Sequence, residues 1–386
     1  MRLTVTLHSS ISEIDQAQWD NVAGQPHAML RHRWLSHLEN GSLNKFEPQY
    51  IVARDPVGQV VAHAAAYVSR TSLLIFSSGL LRTAVNVVRK VMPSFMMVRI
   101  LECGMPVGLG DPISVLRDID SERARSAILD GLEKLSASQR TRLIVIRDLA
   151  DQAANLKRLT ALRGYTMVPH LPNAILRIRW KSLDEYTSDM RSPYRFRLRK
   201  RLTGAAEAGL RCEISSIGEL EPEWILRQIR NVDAAAAEFQ RDVLQARVFE
   251  RIQETGTEWV CFTVFQQKNR VAVALVLVDG PTARWTFFGR ESPGAHDGAY
   301  FLVMAEIVRF AIQRELQAIE MGLTTYRAKL EFGAQLERFE MAVRIRLPGG
   351  QAIVNLLKRL NKVGKVADKD VFKTSKSRGN DQADAL

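Results

Sequence analysis

Apolar residues recur at every second position over residues 3–9, LTVTLHS, which predicts a strand. Over 11–22 and 29–41 they recur at helical spacing. Ser12 offers an N-cap for the first of these helices and Gly41 a stop for the second. Residues 48–68 read as a hairpin around the turn residues Asp55-Pro56-Val57-Gly58. Within 98–114 a strand ends in a Gly/Pro-rich loop, and a helix over about 120–136 follows. A strand over 142–149, a helix over 151–163 and two strand segments within 165–180 complete the first half.

The second half opens with two helices over 182–210 and a strand over 211–217, and 221–255 is mostly helical. Residues 258–290 predict a three-stranded meander, turning at Gln267-Lys268-Asn269 and Asp279-Gly280-Pro281. A helix over 297–316, a strand over QAIEMGL and a last strand over 339–346 follow. The order of elements thus repeats, although the residues do not. The reading is α+β (mixed α/β): two like domains, 1–180 and 181–350, each with a mixed, mostly antiparallel sheet flanked by helices. Residues 351–386 are basic and then polar, and are expected to form a short helix and a partly disordered tail.

Composition narrows the partners. The 386 residues carry 54 Lys and Arg against 42 Asp and Glu, a formal charge of +12. That excess favours anionic partners: nucleic acid, phosphorylated cofactors or an acidic membrane surface. Cys103, Cys212 and Cys261 are far apart and show no metal-ligand spacing, so no metal is expected and a reducing compartment fits. No apolar run reaches the length of a spanning helix, and the expected location is the cytoplasm. Residues 80–100 are apolar with spaced cations. They read as core-covering structure or as a segment that dips into an anionic bilayer at the inner face of the membrane, and the basic residues 358–378 add to the second reading.

One stretch, MGLTTYRAKLEFGAQLERFEMAVRIR at 321–346, sets Thr324, Thr325, Tyr326 and Lys329 between two strands. Tyr326 and Lys329 share a helical face. SPYRFRLRKR at 192–201 places Arg195 and Arg199 four apart, as it does Arg197 and Arg201. This is a solvated face or a grip on a phosphorylated substrate. WTFFGRESPGAHDGAY at 285–300 joins a strand to a helix through glycines.

Three stretches carry a resemblance: 190–210, 285–316 and 320–334, the last ending in Lys329-Leu-Glu-Phe332-Gly333. The element order is similar to the GNAT acyltransferase fold. Its doubling resembles the Fem-type aminoacyltransferases and the BioF2-like group. The resemblance implies two tandem GNAT-like domains and transfer of an acyl group to an amine. It implies Lys329, Tyr326 and Tyr300 as catalytic candidates. Substrate or cofactor would be held by Arg195, Arg199, Arg290, Gly294, His296, Gly298, Thr324 and Thr325. Acyl-CoA is the expected co-substrate, with nothing permanently bound. The alternatives are aminoacyl-tRNA with a cell-wall precursor, or a GNAT-fold binding protein without catalysis. The acceptor is a small molecule or a cell-envelope precursor amine, and no DNA partner is expected. The GNAT phosphate loop is matched in composition around Arg290 but not in spacing.

Overall fold

The computed structural model describes residues 3–23, 28–40, 46–72, 87–88, 91–92, 95, 97–235, 244–291, 297–360 and 368–373. Its strands, in chain order, are β1 (Thr4–His8), β2 (Phe46–Arg54), β3 (Val60–Ser72), β4 (Met97–Cys103), β5 (Ile113–Val115), β6 (Leu143–Leu149), β7 (Thr166–Pro169), β8 (Asn173–Arg177), β9 (Leu210–Ser215), β10 (Glu258–Gln266), β11 (Asn269–Asp279), β12 (Thr282–Arg290), β13 (Ala318–Glu320), β14 (Gln335–Glu337) and β15 (Glu340–Ile345). The contacts divide into two compact units. One holds Met1–Leu171, Val243–Gln245 and Arg338–Gly364. The other holds Pro172–Asp242, Ala246–Glu337 and Lys365–Leu386.

The first unit's sheet runs β1-β2-β3-β4-β6-β15-β7, with β5 also on β3. Its pairings are antiparallel except β4 with β6. The helix Ser121–Ser138, capped by the Asp120 carboxylate on the Arg123 N–H, buries Ala124, Ile128, Leu129, Leu132 and Leu135 against it. Gly131 allows that approach: a Cβ there would stand 2.5 Å from Ile51. At the start of the chain, Ser10 rather than Ser12 is the cap, in a reciprocal capping box with Glu13.

The second unit's sheet runs β14-β8-β13-β12-β11-β10-β9, antiparallel except β12 with β13. The helix Asp297–Gln313 is apolar nearly all round, and Ala299, Val303, Met304, Ile307, Val308 and Ala311 sit in the core it shares with this sheet. Both units are therefore mixed α/β with antiparallel-rich sheets, as expected.

The strands do not divide at residue 180 as the sequence suggested. β8, expected with the first half, pairs with β13 and β14. β15, expected with the second half, lies between β6 and β7. Alternation predicts that a segment is a strand, but the partner is settled by which layer its side chains complete. Ala174 and Leu176 of β8 belong to the second core. Met341 and Val343 of β15 fill a layer with Ile100, Leu143 and Val145 of the first unit.

Of residues 351–386, the structure describes the short helix the sequence suggested and the segment 368–373. Gly350–Leu360 is a helix. Val371 is buried, and Phe372 packs on Trp180 (4.7 Å between centroids) and Tyr186 (5.8 Å). Phe372 covers Gly333, whose φ is +88°; a Cβ on Gly333 would lie 2.2 Å from the ring. Phe372→Ala is expected to destabilise the second unit by about 2–3 kcal/mol, a half-buried fraction of a core Phe deletion. Gly333→Ala should cost at least as much, since it adds backbone strain to the clash. Calorimetric unfolding of the full chain checks both.

Candidate functional site

The meander of the second unit ends in a strand that loses one neighbour. β12 pairs with β13 only through residues 282–284. From Trp285 to Arg290 no strand among the described residues pairs with that edge, so its backbone groups face an open wedge. Arg284 fixes where the parting begins: it donates to Asp279 at 2.9 Å and to Glu320, its pairing partner on β13, at 2.5 Å. Burial raises the Glu320 carboxyl pKa, and Arg284 opposes the shift.

A register shift between Leu275 and Val276 leaves Thr286 as a bulge on β12. The bulge changes which side chains face which layer. Ala283, Trp285 and Phe288 join the core with the helix Asp297–Gln313. Phe287 instead stacks near Trp259 and Phe249. Gly289 lies against the helix Pro222–Ala235, where a Cβ would meet the Gln228 and Ile229 backbone at 2.5 Å. Aromatic residues on both faces thus hold the unpaired half of the strand.

Opposite this edge the chain leaves β13 through a strained turn. Gly322, Thr324 and Thr325 have φ of +74°, +68° and +49°. For two β-branched residues this is sterically costly, of order 1–3 kcal/mol each, and such strain gathers at functional sites. Lys329, on the following helix Tyr326–Glu331, is 4% exposed. Its Nζ donates to the Gly322 and Leu323 carbonyls at 3.1 and 2.9 Å, fastening the turn from below. Tyr326 Oη donates to the Pro172 carbonyl at 2.8 Å. Phe332 is 1% exposed, and its carbonyl accepts from Tyr186 Oη at 2.7 Å. The Lys329-x-x-Phe332-Gly333 run therefore builds the turn, the helix end and the seat for Phe372.

Tyr300 belongs to the same neighbourhood. It stacks on Trp285 at 5.2 Å and stands edge-on to Phe288 at 5.1 Å. Its hydroxyl has no hydrogen-bond partner among the described residues, and burial raises its pKa. Gly322 approaches the Trp285 carbonyl, at 4.0 Å from an idealised Cβ. The structure thus gathers Tyr300, Thr324, Thr325, Tyr326 and Lys329 about one parting of strands. Sequence reasoning missed Glu320 as a member, and a carboxylate closing the strand QAIE was the signal for it.

The other expected residues that the structure describes make different contacts. Arg195 donates to the Ser188 and Met190 carbonyls and closes the helix Leu183–Asp189. Arg199 is exposed on the helix Ser192–Glu207. Arg201 of that helix is engaged by Glu331 at 2.8 Å and lies over Phe301. Arg290 ends β12, where its carbonyl accepts from Asn231. Gly298 packs on Ala205. Gly294 and His296 lie outside the described residues. Cysteine offers no nucleophile: burial pushes the Cys212 and Cys261 thiols up to about 12 and about 11, and Cys103 further.

The first unit has its own parting, β4 from β6, with a buried polar cluster beside it. Glu102 accepts from Tyr67 at 2.9 Å. Arg147 reaches the Met105 carbonyl at 2.7 Å and lies near Glu102 and Asp148. Asp148 has φ of +58°, and His170 stands 3.6 Å from it. Burial lowers the His170 pKa despite Asp148.

A family profile described as FemAB-like, peptidoglycan biosynthesis/recognition, matches residues 10–336. Two Mycobacterium tuberculosis proteins with the provisional name 8-amino-7-oxononanoate synthase 2 are 23% identical over 309 residues, 78% of this chain. The chain spans about 40% of the length of these relatives. Among solved structures, FemX matches with a TM-score of 0.54 at 13% identity, covering 93% of this chain and 100% of that one. L-PGS from Bacillus licheniformis matches at 0.52 and 14%, covering 89% and 94%. A tandem GNAT protein from the clavulanic acid pathway matches at 0.50 and 12%, covering 90% and 99%. At such identities these structures share the fold, the tandem GNAT arrangement that the sequence resembled.

Two predictions follow the geometry of the turn. Lys329→Met, which strands two carbonyls, is expected to cost about 2–4 kcal/mol, whereas Thr325→Gly relieves strain and should be neutral or stabilising; thermal unfolding distinguishes them. Glu331 is 7% exposed. Burial raises its pKa, but Arg201 and Lys369 outweigh this and hold it below its ordinary 4.5. Its contribution to stability is therefore full above the unfolded value and fades as pH falls through the folded one. Glu331→Gln should lower the unfolding midpoint at pH 7 and flatten its decline below about pH 4.5.

Proposed function

Because the chain belongs to the FemAB-like family, we propose that it transfers an acyl group to an amine at the wedge between β12 and β13. The observation that carries this reading is the open β12 edge facing the strained 322–325 turn. An acyl carbonyl lying along that edge would accept from a backbone N–H of β12, and the same bond would strengthen as its oxygen gains charge. The amine attacks the carbonyl carbon, a C–N bond forms, and the C–S or C–O bond to the donor breaks. The amine gives up one proton and the leaving group takes one.

Tyr300 suits the second transfer by position, since it stacks on Trp285 at the open edge and a tyrosine hydroxyl is protonated near neutral pH. Glu320, raised by burial and closest to the parting, takes the proton from the amine. Lys329 acts as a positioning residue through the carbonyls of 322 and 323. The proposed donor is acyl-CoA, and the acceptor a small-molecule or cell-envelope precursor amine.

A second reading has aminoacyl-tRNA as donor. It is favoured by Phe196, 66% exposed between the cations of the helix Ser192–Glu207, an arrangement that suits stacking on single-stranded bases beside phosphates.

Thermal unfolding with acetyl-CoA, longer acyl-CoAs and aminoacyl-tRNA tests both readings. Ligand at about a hundred times Kd should raise stability by about 2.7 kcal/mol. A shift with one acyl-CoA length supports the first reading, and a shift with aminoacyl-tRNA alone the second. Tyr300→Phe should keep the shift and lose at least about a hundredfold in turnover. No shift with any donor, or full turnover in Tyr300→Phe, overturns the assignment.

A further inference from the structure

The register of the second sheet fixes which side chains share a face. Ala174 and Leu176 of β8, Ile319 of β13 and Ala283 of β12 point into the apolar core. Asn173, Glu320, Arg284 and Glu337 alternate with them and therefore stand on the opposite face. Asp279 joins this face through its pairing with Thr282. Asn173 and Glu337 are direct cross-strand partners, with Cβ atoms about 5 Å apart. On the other side of β8, the Ala174 N–H donates to the Gly322 carbonyl at 3.3 Å, and the Met321 N–H to the Ala174 carbonyl at 2.8 Å. The β8–β13 register thus extends to set Gly322 beside Asn173.

The charges on this face do not balance. Asp279 and Glu320 share Arg284. Glu337 has no cationic partner among the described residues, and its charge acts on Glu320. Arg177 also lies on this face, exposed, opposite Ala318. Asn173 is 1% exposed, yet its Oδ1 accepts no hydrogen bond among the described residues. A buried amide oxygen without a donor is costly, and such an atom calls for an explanation. Space lies beside it: a Cβ built on Gly322 meets nothing nearer than the Trp285 carbonyl, at 4.0 Å. The Trp285 carbonyl, the Asn173 Oδ1 and the carboxylates of Glu320 and Glu337 are all acceptors. A ligand suited to this corner brings donors and positive charge.

We propose that Asn173 and Glu337 bind the acceptor amine as an ammonium, beside Glu320. The inference rests on the acyl-transfer reading for the fate of that amine, but the site is measurable without a donor. The ammonium donates to the Asn173 Oδ1 and to Glu337. Loss of one proton to the Glu320 carboxylate leaves the neutral amine, whose lone pair is then free to attack. The site selects alkylamines that are cationic in water. It disfavours amines that also carry a carboxylate, which Glu320 and Glu337 repel. A metal ion fits less well. Glu320 and Glu337 sit on strands either side of β8, about 10 Å apart, whereas carboxylate oxygens on one ion converge to about 2.0–2.6 Å from it.

The test is calorimetric titration of the full chain with n-butylamine, 1-butanol and 4-aminobutanoate. Binding of n-butylamine is expected, with the alcohol and the amino acid at least about tenfold weaker. Glu337→Gln and Asn173→Leu should each weaken n-butylamine at least about tenfold. Neither should lower the unfolding midpoint, because Leu replaces an unpartnered amide and Gln removes a charge that opposes Glu320. Glu337 is half-buried, so Glu337→Gln keeps the test decisive if Asn173→Leu unfolds. A lower midpoint with unchanged amine binding in both variants marks a structural role and overturns the proposal. No binding of n-butylamine, or equal binding of 1-butanol, also overturns it. Calcium binding that both variants abolish, without amine binding, overturns it in favour of a metal. A thermal shift with acyl-CoA in a chain that binds no amine refutes this inference alone. Amine binding that both variants weaken, with no shift from any donor, supports the ammonium site and refutes the acyl-transfer reading.

Discussion

β12 and β13 are held together for three residue pairs and no further, with Arg284 set between Asp279 and Glu320 at the last of them. A parallel ladder would ordinarily continue, because unpaired backbone groups in a sheet cost free energy. Here β13 ends at Glu320 and the chain turns away through Gly322. What keeps β12 straight without its neighbour is packing on both faces: the helix Pro222–Ala235 against Gly289, and Trp285 and Phe288 against Tyr300. The open edge is therefore packed on both of its faces.

The turn that leaves β13 is the opposite kind of element. Its two threonines sit in backbone conformations that favour glycine, and Lys329 holds their preceding carbonyls from inside the core. A lysine read as a catalytic candidate thus fastens the turn that leaves β13. Glycine and phenylalanine of the same run close the helix and seat Phe372, so one short motif builds both the turn and the packing around it.

The first unit repeats the parting of parallel strands, but fills its neighbourhood with Glu102, Arg147, Asp148 and His170. The two units share a plan and differ in what occupies the wedge. That difference lies in side chains, and a comparison of element order alone does not register it.

Alternation and helical spacing alone determined the meander, its turns, the central apolar helix and the doubling of the pattern. These are local properties, and each segment declares them by which of its own faces is apolar. The resemblance suggested Arg195, Arg199, Tyr300, Tyr326 and Lys329 as members of one site. Only the tertiary structure decided the partners. The exchange of β8 and β15 between the sheets and the ordering of Phe372 depend on residues more than a hundred positions apart. The same holds for Glu320, an ordinary acid at the end of a short strand until Arg284 and burial set its environment. Hydrogen-bond edges and buried charges are satisfied by whatever lies nearest in space, and sequence distance carries no record of that.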